Sequence, residues 1–249
     1  MDKKIIIIPT YNEKENIEKI IRYVFSLPDI FHILIIDDGS PDGTANIVKA
    51  LMSEYSDRLF IEERKGKLGL GTAYIHGFNW CIEKGYDFIF EMDADFSHNP
   101  NDLINLYNAA CQHDADVVIG SRYCNGVNVV NWPMSRVLMS YYGSAYVRLV
   151  LRTKIQDNTA GFICYRRKVL ETIDFTKIRH IGYGFQIEMK YVAGKLGFNV
   201  MEIPIIFTDR TEGTSKMSKG ILQEAILGVL KLRFLSLFGG IEKYRKKQP

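Results

Sequence analysis

The sequence has no window of 18 uncharged apolar residues, and the apolar run in the opening "MDKKIIIIPTYNE" is only four isoleucines. A membrane-spanning helix needs about 20 mostly apolar residues and a signal peptide an apolar region of about 7–15. Neither is expected, and the opening residues read as a strand. Cysteine is scarce: Cys81, Cys111, Cys124 and Cys164 lie far apart, with no CxxC or Cys/His ligand spacing. That fits a reduced, cytosolic chain without a zinc site. His32, His76, His98, His113 and His180 show neither metal-ligand nor triad spacing. There is no GxSxG elbow and no Walker pattern, and the glycine-rich "GLGTAYIHG" contains no GxGxxG. Acyl-transfer, P-loop and dinucleotide chemistries are therefore unsupported. Net charge is +3, too small by itself to argue for nucleic-acid binding.

What is present is alternation. Over the first 120 residues the strand patterns "KIIIIP", "HILIIDDGS", "RLFIEE", "DFIFEMD" and "DADVVIGS" alternate with helical ones. Repeated βαβ units with short connections predict an α/β, mostly parallel sheet covered on both faces. Asn12 with Glu15 resembles a capping box for the first helix, whose apolar face is Ile17, Ile20, Ile21, Val24 and Phe25. The second half is less regular. "RVLMSYYGSAYVRLVL" and "YGFQIEMKYVAGKLG" read as helices and "GFICYRR" as a strand. "VMEIPIIFTDR" carries Pro204, which predicts an edge or a break. From Lys219 onward a long apolar helix pattern leads to a basic tail.

In such sheets ligands bind beyond the carboxyl ends of the strands. Pro9, Tyr11 and Glu13 close the first strand, Asp37 and Asp38 the second, Asp93 and Asp95 the fourth, Ser121 and Arg122 the fifth. In "EMDADFSHNP" two carboxylates one residue apart point the same way as the strand ends. They repel unless a cation lies between them, and Mg2+ or Mn2+ commonly takes one or two carboxylates plus substrate phosphates. Solvated acids capping the next helix are the alternative. A diphosphate held there calls for basic groups, for which Arg122, Arg136, Arg210 and Lys216 are candidates. Ordinary surface charge is the alternative for any one of them, and the preferred reading for Lys14, Lys65, Lys67 and Arg166.

The motifs "PTYNE", "DDGSPDGT", "KLGLGTAYIHG", "EMDADFSHNP", "GSRY", "AGF" and "DRTEGTSK" occur in the order found in polyprenyl- or dolichyl-phosphate mannose synthases. The chain resembles these family 2 glycosyltransferases over roughly residues 4–220. The resemblance implies a GT-A fold with a Rossmann-like nucleotide-binding half and C-terminal amphipathic helices. It implies a catalytic domain over 1–218, divided into a nucleotide-sugar half (1–122) and an acceptor half (123–218), followed by a helical segment with a basic tail (219–249). The implied donor is GDP-mannose and the acceptor a polyprenyl (dolichyl) monophosphate. Pro9, Tyr11, Glu13, Ile36 and Asp38 would hold the donor nucleotide. Asp93, Ala94 and Asp95 would continue the donor site, with Asp93, Asp95 and Ser97 as metal ligands. Some relatives carry Gln where this chain has Ser97. Asp95, Arg122, Arg210 and Lys216 would carry catalysis, the last three also on the donor, and Arg122, Arg136 and Arg210 would bind the acceptor phosphate.

A lipid phosphate is already an anion, so the implied reaction needs positioning and charge stabilisation and no strong base. The acceptor requires a membrane surface. The apolar stretch 221–238 with Lys243, Arg245, Lys246 and Lys247 suits a helix lying in the interface, and packing on the catalytic domain or a dimer contact is the alternative. The expected location is peripheral, on the cytoplasmic face, without a span. A small membrane subunit is a candidate partner, and nucleic acid is not. Three rivals stay open: a family 2 enzyme using another sugar, such as a polyprenyl-phosphate glucose synthase; a nucleotidyltransferase; and a non-catalytic nucleotide-sugar-binding subunit.

Overall fold

The isoleucine run divides its side chains between two cores. In β1 (Lys4–Thr10), Ile5 and Ile7 face one side and Ile6 and Ile8 the other, and all four are fully buried. A strand covered on both faces has no polar alternation to show. Each such side chain contributes roughly 2 kcal/mol by leaving water. The computed structural model of the protein describes residues 2–182, 184–209 and 219–246, the side chains of the last stretch from 227 onward.

The other strands of the main sheet are β2 (His32–Asp37), β3 (Leu59–Glu63), β4 (Phe88–Glu91), β5 (Val117–Ser121), β7 (Ile163–Arg166) and β8 (Val200–Pro204). Their order is β3-β2-β1-β4-β7-β5-β8. Every neighbouring pair is parallel except those of β7, which runs antiparallel to both β4 and β5. The helices are α1 (Ile17–Phe25), α2 (Thr44–Met52), α3 (Leu70–Glu83), α4 (Asp102–Gln112), α5 (Met134–Leu151), α6 (Arg167–Thr172), α7 (Gly184–Lys195) and α8 (Lys219–Leu237).

Two local expectations resolve differently. The Asn12/Glu15 capping box does not form. Asn12 adopts φ 58° and gives its N–H to Ser40 Oγ at 3.0 Å, and α1 starts only after Asn16, which caps with no side-chain bond. The β1–α1 loop is thus fastened by the Asn12 N–H to the β2–α2 turn, while Glu13 O accepts from Ile17 N–H at the start of α1 at 2.9 Å. At Pro204 both alternatives hold. β8 is the sheet edge and ends there, and the chain pairs again as β9 (Phe207–Thr208) with β6 (Val129–Val130) in a separate two-stranded sheet.

Helix α8 packs on α5 and α7. Its Val229 and Leu232 enter the core together with Ile241 and Tyr244 of the following 3-10 turn (Gly240–Tyr244). Leu227, Leu230, Phe234 and Leu237 remain exposed on α8.

Candidate active site

Strand β4 delivers the acidic pair. Beyond Glu91, Met92 and Ala94 turn into the core, while Asp93 and Asp95 line a cavity of about 240 Å³. Ser97 N–H donates to Asp95 Oδ1 at 3.1 Å, closing the turn in which Phe96 takes φ 59°. His98 supports that turn from behind. Its Nδ1 accepts the Asp93 N–H at 3.3 Å, and its ring stacks on Phe162 at 4.8 Å and 11°. Burial lowers its pKa to about 4 against the opposing pull of Asp95. The imidazole is therefore neutral at pH 7, with its proton assigned to Nε2 by the Asp93 bond.

A buried neutral histidine makes stability depend on pH. Between the unfolded value of about 6.5 and the folded one, the unfolded chain binds more protons. Stability is thus fully present above about pH 6.5 and declines as pH falls towards 4. His98→Phe, which keeps the stack, is expected to flatten that part of a plot of unfolding free energy against pH; an unchanged slope would assign it to other groups.

Arg122 follows β5, is 8% exposed and lines the same cavity. Its Nε and Nη2 donate to the two carboxylate oxygens of Asp157, both at 2.7 Å, and its backbone N–H adds a third bond at 3.0 Å. Nη2 also reaches Thr159 Oγ1 at 2.8 Å. Asp157 is fully buried. Burial alone would raise its pKa, but the Arg122 charge and these bonds hold it below the usual carboxylate value. Arg136 lies over the Trp132 ring, 4.1 Å from its centroid, and pairs with Asp209 at 2.7 Å. Arg210 and Lys216 lie outside the described residues.

The rim beyond β1 and β2 forms a second group. Asp37 is spent on the loops, accepting from Thr10 Oγ1, Ser40 N–H and Ser40 Oγ. Asp38 accepts from Arg64 Nε at 2.6 Å, and Arg64 also reaches Thr72 Oγ1 at 2.9 Å. Gly39 sits at φ 70°, with Arg64 O only 3.2 Å from where a Cβ would be, so a side chain there would meet both strain and backbone. Pro9, Tyr11, Glu13, Ile36, Asp38 and Ala94 are not among the residues lining the cavity at Asp93. The side chains of Ile36 and Ala94 are packed in the cores. Reading the sequence did not single out Arg64, Asp157, Glu91 or Gln186.

The donor set fits a hard divalent cation. Asp93, Asp95 and Ser97 line one cavity, and Ser97 Oγ is buried with no hydrogen-bond partner among the described residues. Two carboxylates and a hydroxyl leave positions for water and phosphate oxygens, as Mg2+ prefers. Among the described residues no group of three or more His, Cys, Asp or Glu could hold a metal ion.

Residues 5–174 match the family described as glycosyl transferase family 2. The chain belongs to this family. A polyprenol monophosphomannose synthase of Mycolicibacterium smegmatis is 44% identical over 91% of this chain and 85% of its own length. An undecaprenyl-phosphate mannosyltransferase of Micrococcus luteus is 41% identical over 94% of this chain and 96% of its own. Among solved structures, glucosyl-3-phosphoglycerate synthase from Mycobacterium tuberculosis, in complex with Mn2+, UDP and glucosyl-3-phosphoglycerate, superposes with a TM-score of 0.69. It is 16% identical and the match covers 94% of this chain and 80% of that one, so it bears on the fold alone. The same synthase is known with Mg2+ and UDP (TM-score 0.68). The protein is a family 2 glycosyltransferase with a GT-A fold, as the motifs implied.

Proposed function

We propose that this glycosyltransferase moves mannose from GDP-mannose to a polyprenyl (dolichyl) monophosphate, giving polyprenyl-phosphate β-mannose and GDP. The reading includes Mg2+ or Mn2+ held by Asp93, Asp95 and Ser97, and a site of action on the cytoplasmic face of a membrane. It is carried by the mixed character of the cavity: Asp93, Asp95, Arg122 and Arg136 share it with the apolar Tyr146, Val147, Ile187 and Val229. A charged head with an apolar stem suits such a wall better than a free sugar does. The names of the two relatives at 44% and 41% identity support the same acceptor class and sugar.

The acceptor phosphate carries its second ionisation near pH 6, so at pH 7 it is itself the nucleophile. No base is required of His98, whose Nδ1 is engaged by Asp93 N–H. Arg136, paired with the half-buried Asp209 at 2.7 Å, is assigned to hold the acceptor phosphate beside the donor diphosphate through its N–H donors. Arg122, already balanced by Asp157, contributes rigid N–H donors rather than net charge. Arg210 and Lys216 are assigned to the same phosphates on the sequence motif. When bound, the divalent ion supplies Lewis-acid stabilisation of the leaving diphosphate. A single displacement at the anomeric carbon inverts an α-linked donor to a β-linked product. Offered GDP-mannose, GDP-glucose and UDP-glucose with polyprenyl phosphate, the enzyme is expected to prefer GDP-mannose about 100-fold or more in kcat/KM. Preference for a glucose donor overturns the sugar assignment.

Among the described residues no helix is long and apolar enough to cross a membrane. The exposed Leu227, Leu230, Phe234 and Leu237 of α8 are proposed to lie in the interface, with Lys243 and Lys246 towards anionic headgroups. Deleting the segment would also remove Val229 and Leu232 from the core, so surface substitutions are the cleaner test. Leu230→Glu with Phe234→Glu is expected to lower binding to anionic vesicles at least about tenfold, with an unchanged melting temperature. Equal binding by a folded double variant contradicts the placement.

A further inference from the structure

We infer that Gln186 and Tyr74 form the floor of the sugar subsite and read hydroxyl groups of the transferred hexose. This rests on the glycosyl-transfer reading of the cavity. Both residues line it beside Asp93 and Asp95, yet Gln186 is only 2% exposed and Tyr74 fully buried. Gln186 Oε1 and Tyr74 Oη have no hydrogen-bond partner among the described residues. A buried polar atom left unpaired costs about 1–3 kcal/mol. Two of them in the wall of one cavity call for ligand groups that complete them.

Both side chains are held in place. Gln186 Nε2 donates to Glu91 Oε2 at 2.7 Å, which leaves the amide oxygen as the remaining acceptor. Glu91 is the last residue of β4, fully buried, so the amide is tied to the strand that carries the acidic pair. The Tyr74 ring stacks on Phe185 at 6.1 Å and 7°, and on Phe78 at 6.2 Å and 24°.

The chemistry selects the ligand group. An amide oxygen accepts hydrogen bonds, and an ionised phosphate has no proton to give. A phosphate facing Gln186 Oε1 would therefore leave it unpaired, whereas a sugar hydroxyl donates to it and can also bond the Tyr74 hydroxyl. The hexose is covalently attached to the donor diphosphate, so it must lie close to wherever Asp93 and Asp95 hold that group. Sites that bond a substrate hydroxyl discriminate strongly against analogues lacking it, because the site's own polar groups then stay unpaired.

The test pairs protein and substrate deletions. Wild type, Gln186→Met and Tyr74→Phe are assayed with the nucleotide hexose that wild type turns over and with its 2-, 3-, 4- and 6-deoxy analogues. Binding of the bare nucleoside diphosphate is measured alongside. Gln186→Met is expected to lower kcat/KM about 100-fold and Tyr74→Phe about tenfold, with nucleoside diphosphate affinity changed less than about twofold. For at least one deoxy position the penalty seen in wild type should vanish in a variant, the signature of direct coupling. No coupling at any position overturns the inference, as does a parallel loss of turnover and nucleotide affinity. Tyr74→Phe removes one oxygen and keeps the stack, so it decides the matter if Gln186→Met does not fold. A wild-type donor other than GDP-mannose would correct the proposed function and leave this comparison intact.

Discussion

Asp95→Ala is expected to lower turnover at least about 10³-fold at saturating divalent ion, the range for loss of a group that stabilises developing charge. Its effect on folding is expected to be small. Asp95 is 8% exposed and accepts a hydrogen bond from Ser97 N–H, a bond worth about 1 kcal/mol. Asp95→Asn can keep that bond and still lose the charge, so it separates the turn from the chemistry. If Asn falls as far as Ala while both melt near wild type, the loss belongs to charge. Near-wild-type turnover in a folded Asp95→Ala enzyme removes Asp95 from the diphosphate clamp.

Asp157→Ala is expected to produce the largest loss of stability. It removes the bidentate Asp157 carboxylate from the Arg122 guanidinium, which stays buried beside Tyr123, Trp132 and Phe207. Breaking a buried pair by removing one partner costs about 3–5 kcal/mol, or a melting point lower by about 10 °C in a chain of this size. Removing both charges, as in Arg122→Met with Asp157→Leu, is expected to restore part of that loss, because no isolated charge then remains. A fall of less than about 2 °C in Asp157→Ala would mean that the pair contributes little. The pH dependence has a definite sign. The folded pKa of Asp157 is depressed, so its stabilisation is present above the unfolded value of about 3.9 and lost as pH falls through the folded one. That acid window lies below the one assigned to His98.

The layout of the first five strands was legible because a parallel strand buried on both faces reads as an unbroken apolar run. Ile5–Ile8 and "HILII" show it most clearly. The same run says nothing about direction. "ICYR" in β7 is as apolar as its neighbours, and only the path through β6 and α5 makes it enter the sheet antiparallel. Strand-end acids were legible by position, and the structure brings Asp93, Asp95, Ser97, Arg122 and Arg136 to one cavity. Their supporting partners were not. Asp157 is 35 residues from Arg122, and nothing in the local pattern of either marks the pair. In α7 the residues Phe185 through Ala193 are all buried, so Gln186, Glu188 and Lys190 show no polar stripe. Of these three, only Gln186 lines the cavity, and nothing in the sequence pattern distinguishes it from the other two. Asp38 was legible as a rim acid, but its bond to Arg64 required the fold.

The most direct measurement is transfer of label from radiolabelled GDP-mannose to polyprenyl phosphate in detergent, with Mg2+ or Mn2+ and an EDTA control. The account predicts label in the organic phase, abolished by EDTA and restored by excess divalent ion. Enzyme that binds GDP-mannose but leaves the organic phase unlabelled with either ion, or labels it equally in EDTA, would contradict it.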